Sequence, residues 1–157
     1  MGQTTTLYRR EILRAAEEHR LDANLIEAIV IIESSGQTDA FRFEPGFYVR
    51  YLKNDPTYAG QNPRRIASSY GLMQVMYTTA LRHDYPYEDP EYLFVPTIGL
   101  HYGCSELGRL LEWADGDVLK ALAAYNGGTG NWLGKAPQEY CKKVNAKLDE
   151  VAEARRV

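Results

Sequence analysis

Apolar residues cover nearly every face of one stretch, Leu25-Ile26-Glu27-Ala28-Ile29-Val30-Ile31-Ile32. A helix that is apolar all round is a buried helix. Asp22 is placed to cap its start and Gly36 to stop it. Around this centre the pattern changes to one-sided helices. Residues 4–20 form the first, with a threonine of the Thr4–Thr6 run as cap and Tyr8, Ile12, Ala15, Ala16 and His19 on one face. A short turn follows at 63–69, a short helix at 78–83, and a turn at 91–95 that Asp89 could cap. Pro96 opens a long helix to about Trp113, on which Gly99 and Gly103 stand one turn apart. Glycines there lower helix propensity, so they imply close approach of a neighbour. Asp117 caps a helix over 118–125, and Pro137 starts the last, to about Ala154, with Tyr140, Val144, Leu148 and Val151 as its seam. No stretch alternates convincingly as a strand and no repeat is present. The expected fold is mainly α, a single domain over 1–157.

Glu33 closes the apolar stretch. Ile26, Ile29 and Val30 lie seven, four and three positions before it and share its side of the helix. A carboxyl among such neighbours loses hydration, which raises its pKa. A carboxylic acid kept protonated near neutral pH suits general-acid cleavage of a glycosidic bond. The other reading is a helix-end residue facing water.

Composition narrows the partners. The chain has 157 residues, enough for one real core, and a net charge of −3 with acids and bases interspersed. That argues against a nucleic-acid surface. No apolar run is long enough to span a membrane. Cys104 and Cys141 are far apart and show no ligand spacing, so free buried thiols are expected, with a disulfide left open. His19, His83 and His101 are scattered, so no metal and no cofactor is expected. Phe41, Phe43, Phe47, Tyr48 and Tyr51 crowd one segment broken by Pro45-Gly46. Such a loop could stack on sugar rings or pack on the core.

Four blocks stand in order: Glu33-Ser34, Gly71-Leu72-Met73-Gln74, Ala124-Tyr125-Asn126-Gly127-Gly128, and Tyr140 with Val144. Alone, each is an ordinary helix end, turn or core residue. Together, over about 8–144, they resemble the soluble lytic transglycosylases, with their goose-type lysozyme-like fold of about seven to nine helices around a buried central helix, and a substrate groove. The resemblance implies cleavage of the bond between N-acetylmuramic acid and N-acetylglucosamine in peptidoglycan, leaving 1,6-anhydro ends. It makes Glu33 the catalytic acid and base. It makes Met73 and Gln74 groove contacts, Tyr125 the tyrosine aimed at Glu33, Asn126 its support and Tyr140 a second groove tyrosine. It places Ser34, of the first block, among the substrate-binding residues, and Ser68 or Ser69 would hold the acetamido group.

The chain departs from that pattern. The interval from Glu33 to Gly71 is longer than in the family, so 41–63 holds an insertion. Cys141 stands where valine is usual, and Ala136 where a glutamate often is. Two-carboxylate hydrolysis needs a partner for Glu33. Asp39 and Glu44 are candidates, but no helical spacing fixes either opposite it. A hydrolase, muramidase or chitinase, is therefore the alternative, and a non-catalytic glycan-binding module a third. The expected partner is peptidoglycan glycan strands, with a monomer acting away from nucleic acid and membrane. With no secretory segment at Met1–Thr6, the expectation is synthesis in the cytoplasm and action at the cell wall, as in a phage or prophage lysis enzyme, a virion-associated one, or a domain of one.

Overall fold

The structure, a computed structural model, describes residues 2–156. Among them are eight α-helical segments and one small sheet. Helix α1 is Arg9–His19, and α2, Ala23–Ser34, is the buried centre. Asp22 caps α2 by accepting from the Asn24 backbone N–H, and Ser35 ends it in the left-handed region before Gly36. Ile26, Ala28, Ile29 and Val30 have no exposed surface. Full burial of one such isoleucine contributes roughly 1.5–3 kcal/mol.

Helix α1 starts later than the threonine run predicts. The Thr6 backbone N–H and hydroxyl both donate to the Glu27 carboxylate, at 3.0 and 3.1 Å. Glu27 is fully buried within α2, and ionic partners hold it: Arg9 Nη1 at 3.1 Å and Arg155 Nη2 at 2.8 Å. A buried carboxylate needs such partners, and here they recruit Thr6 away from capping α1.

The sheet was not expected, because strands of two or three residues are too short to show alternation. Strand β1 (Phe41–Phe43) pairs antiparallel with β2 (Ser68–Tyr70), which pairs antiparallel with β3 (Val75–Met76). Arg42 lies opposite Ser69, and Ser69 opposite Met76, so these three share a face. Phe41 meets Tyr70 edge-on from the other face, at 5.3 Å.

The inserted segment between β1 and β2 is helical turns: α3 (Pro45–Phe47), a π-helical turn (Tyr48–Leu52), a 3₁₀ turn (Pro56–Tyr58) and α4 (Pro63–Ile66). Leu52 is buried, and Phe43, Phe47, Tyr48 and Tyr58 lean on the core. Phe41 and Tyr51 are exposed. Most of the aromatic segment is therefore core packing, and β1 ties it into the sheet, so it is not a removable flap.

Helix α5 (Tyr77–Arg82) and a 3₁₀ turn (Pro90–Phe94) lead to α6 (Pro96–Trp113), α7 (Val118–Gly127) and α8 (Lys135–Arg155). Asp117 caps α7, accepting from the Lys120 backbone N–H, whereas Asp89 makes no side-chain cap. Helix α2 packs on α8 and α1, α6 on α1 and α7, and α7 on α8. Cys104 and Cys141 are buried, unpaired thiols. Among the described residues, no helix is long and apolar enough to cross a membrane.

Candidate active site

Glu33 sits in the last turn of α2, the largely apolar helix that packs on α8. Burial pushes its pKa up from 4.5 to about 7. Three weaker influences follow. A hydrogen bond from Tyr140 and the charge of Arg42 pull it down, and the charge of Glu44 pushes it up. At neutral pH the carboxyl is thus poised between acid and base, the state that proton donation followed by proton abstraction requires.

The hydrogen bond is direct: Tyr140 Oη donates to Glu33 Oε2 at 2.9 Å. Tyr140 projects from α8, 107 positions along the chain. Tyr125, on α7, lies parallel to it, with ring centroids 6.4 Å apart and planes 10° apart. The resemblance aims Tyr125 at Glu33, but its hydroxyl donates to the Met73 backbone carbonyl at 2.7 Å. Contact with the carboxyl belongs to Tyr140, and Tyr125 instead fixes the turn that faces it. Burial beside Glu33 raises the pKa of both phenols, so both stay neutral donors.

That turn is Gly71-Leu72-Met73-Gln74. Gly71 takes φ +75, and Gln74 takes φ +50, a left-handed value that a non-glycine residue adopts at some energetic expense. The Gln74 amide Nε2 donates to the Ala40 and Gly71 carbonyls, both at 3.1 Å, which holds this backbone in place. The expected groove contact from Met73 is corrected: its side chain is fully buried under Gly103 and Cys104. Only its carbonyl serves the site, through Tyr125.

The serines divide. Ser34 is buried, its single hydroxyl proton shared between the Val30 carbonyl, 2.9 Å from Oγ, and the Leu72 carbonyl, 2.8 Å away. It joins α2 to the Gly-Leu-Met-Gln turn and does not face a groove. Ser68 is fully buried, with its hydroxyl on the Arg64 carbonyl, so it too is removed from the list of sugar contacts. Ser69 lies on the sheet face that carries Arg42. Asn126 is exposed at the end of α7.

Sequence reasoning missed the pair Arg42–Glu44. Arg42 Nε lies 3.0 Å from Glu44 Oε1, and both charges act on Glu33. Arg42 lies in β1 and Glu44 just after it, at the cap of α3, so the pairing shows only once the strand and the turn that follows it are known. Glu44 is thus engaged by a cation beside it.

Tyr140→Phe tests the central contact. Its hydrogen bond lowers the Glu33 pKa, so its loss should move that pKa further above 7. The alkaline limb of the pH profile should then shift upward, while the plateau rate falls roughly tenfold to a hundredfold as the carboxyl loses its orientation. An unmoved limb in a pH–rate series would show that the contact does not govern this carboxyl.

The model of the transglycosylase SLT domain matches residues 10–147. No curated protein sequence matches the chain. Among solved structures, the chain is similar to an inactive glutamate-to-glutamine mutant of lytic transglycosylase Slt from Pseudomonas aeruginosa. The TM-score is 0.70 at 19% identity, over 96% of this chain and 24% of that one. It is also similar to the 70-kDa soluble lytic transglycosylase from Escherichia coli, with TM-score 0.67 at 21% identity, over 90% of this chain and 23% of that one. A complex of the 70-kDa soluble lytic transglycosylase with bulgecin A gives the same figures. The chain spans about a quarter of the length of these structures, and at such identity they establish the fold. Because the family model covers most of the sequence, from the start of α1 to the middle of α8, the chain belongs to the transglycosylase SLT domain family.

Proposed function

We propose that the protein is a peptidoglycan lytic transglycosylase, cleaving the β-1,4 bond between N-acetylmuramic acid and N-acetylglucosamine with Glu33 as acid and then base. One observation carries the reading: a lone carboxyl at the end of a buried helix, with its pKa raised to about 7. In the first step Glu33 gives its proton to the departing glycosidic oxygen. The muramyl 2-acetamido oxygen bonds to C1 as the C1–O bond breaks, a substrate-assisted route. In the second step the Glu33 carboxylate takes the C6 hydroxyl proton. O6 then bonds to C1 and releases the acetamido oxygen, closing the 1,6-anhydro ring and restoring protonated Glu33.

The neutral Tyr140 hydroxyl stabilises the carboxylate between the two steps. Gln74, Ser69, Asn126 and the Tyr125–Tyr140 pair form the sugar-facing set, with Ser69 as the acetamido donor. The enzyme acts as a monomer at the cell wall, where its substrate lies.

Hydrolysis is the second reading, because Glu44 influences Glu33 electrostatically. The Arg42 ion pair opposes it, since a carboxylate held by a cation is a weaker base for water. The test is mass spectrometry of muropeptides released from purified peptidoglycan. The expected product carries anhydro-muramyl ends, one water lighter than reducing ends. A digest dominated by reducing ends would reclassify the enzyme as a muramidase and make Glu44→Gln the next variant to assay.

A further inference from the structure

His19 and His101 lie 82 positions apart in sequence, yet the fold brings His19 Nε2 to 3.2 Å from His101 Nδ1. Glu18 Oε1 stands 3.9 Å from the same His101 nitrogen. One ligand atom from each of the three falls within 4.8 Å of the others. Glu18 and His19 come from the last turn of α1, and His101 from α6. We propose that these three side chains form a site for a divalent transition-metal ion, zinc above all, that clamps α1 to α6.

The separations carry the proposal. Zinc binds imidazole nitrogen at about 2.0–2.1 Å in tetrahedral geometry. Two nitrogens on one such ion are then roughly 3.3–3.4 Å apart, close to the spacing this pair already has. Glu18 is exposed and free to swing about its side-chain torsions, so closing its 3.9 Å gap needs only a rotamer adjustment. Two nitrogens and one carboxylate oxygen are a donor set suited to zinc rather than to magnesium or calcium, which require oxygen cages.

The surroundings favour a cation. The last turn of α1 presents the negative end of its dipole at Glu18 and His19. The His101 ring is braced edge-on by Tyr102, with centroids 4.8 Å apart. Three protein donors leave a fourth position for water. The site is remote in role from Glu33: among the described residues, none of its side chains hydrogen-bonds to the carboxyl or to the Gly71–Gln74 turn. His101 is, however, two positions from Gly103, which backs Met73. A clamp here would brace the floor of the turn without entering the chemistry.

The experiment is thermal melting and calorimetric titration of chelator-treated protein with zinc chloride, with magnesium chloride as control. Zinc a hundredfold above its Kd should raise Tm by about 5 °C or more, and magnesium should not. His19→Gln and His101→Gln should each weaken zinc binding by at least about tenfold. Nitrogen-15 spectra of the histidine rings give a readout within the unaltered chain. Zinc should shift His19 and His101, and leave His83, whose Nε2 is engaged by Glu106 at 2.9 Å. No Tm rise at millimolar zinc would overturn the site, as would equal binding by both variants or a shift confined to His83.

Discussion

Glu33→Gln should lower peptidoglycan lysis by at least about a thousandfold while leaving the protein folded. The amide is nearly isosteric and can still accept the Tyr140 hydrogen bond, so the local structure survives. What it lacks is the proton that must go to the leaving oxygen and the basic oxygen that must take one back. General acid–base transfer by one residue contributes roughly 10²–10⁴, and here one residue does both transfers. A turbidity assay on purified cell walls with the pure variant measures this. More than a few per cent of wild-type activity would remove Glu33 from the mechanism.

The same substitution should change stability in a pH-dependent way. A carboxyl with a native pKa of about 7 and an ordinary value of 4.5 binds its proton more tightly in the folded state. Below 4.5 it is neutral in both states and does not oppose folding. As pH rises from 4.5 to about 7 the unfolded chain ionises while the folded carboxyl still holds its proton, so stability is lost across that window and levels off above it, where the folded protein too must carry the charge, desolvated. The loss is at most about 3 kcal/mol once both states are ionised. Glutamine carries no such charge. The variant should therefore melt with the wild type at pH 4 and several degrees above it at pH 8. Equal melting at both pH values would mean that Glu33 is ordinary and solvated.

Much of this site was legible before any coordinates. The apolar run to Ile32 put a carboxyl at the end of a buried helix, because a helix with no polar face has nowhere else to go. The four blocks ordered the turn and the tyrosines around it. What the sequence could not carry was direction. Tyr125 and Tyr140 are both tyrosines on helices that border the site, and only the three-dimensional course of α7 and α8 decides which hydroxyl reaches Glu33. The Gly-Leu-Met-Gln block implies a sugar contact from Met73, yet its thioether is drawn into the core against Gly103 of α6. Glu27 interrupts an otherwise apolar helix, and nothing near it in sequence says what would satisfy a charge there. Its partners, Arg9 and Arg155, sit at opposite ends of the chain, beyond the reach of any spacing rule. The histidine pair was hidden in the same way. The sheet was invisible because strands of two or three residues are too short to show alternation.

The glycines of α6 were legible as close approaches, and they lead to the second large effect. Gly103→Ala should destabilise the protein by about 3 kcal/mol or more and lower activity at least tenfold, though Gly103 is far from the chemistry in sequence. A methyl group there would overlap Met73 Sδ and come within 2.7 Å of Met73 Cβ. Met73 is fully buried and has no open side to move toward. The α6 backbone cannot retreat easily either, since Gly99, one turn earlier, already abuts the Leu93 carbonyl, which a methyl group would meet at 2.7 Å. Overpacking of this kind typically costs 1–3 kcal/mol, and more where neither partner can shift. Displacing Met73 also moves its carbonyl, the acceptor for Tyr125, and with it the turn that ends in Gln74. Activity should therefore fall beyond what the loss of folded protein explains. The decisive comparison is a double variant. Met73→Val makes a cavity alone and Gly103→Ala an overlap alone, but together the two changes offset each other in volume. The pair should be more stable than Gly103→Ala by chemical denaturation, with a coupling of about 1 kcal/mol or more. Strictly additive effects would mean that the two residues do not press on each other, and that the floor of the turn is held by something other than α6.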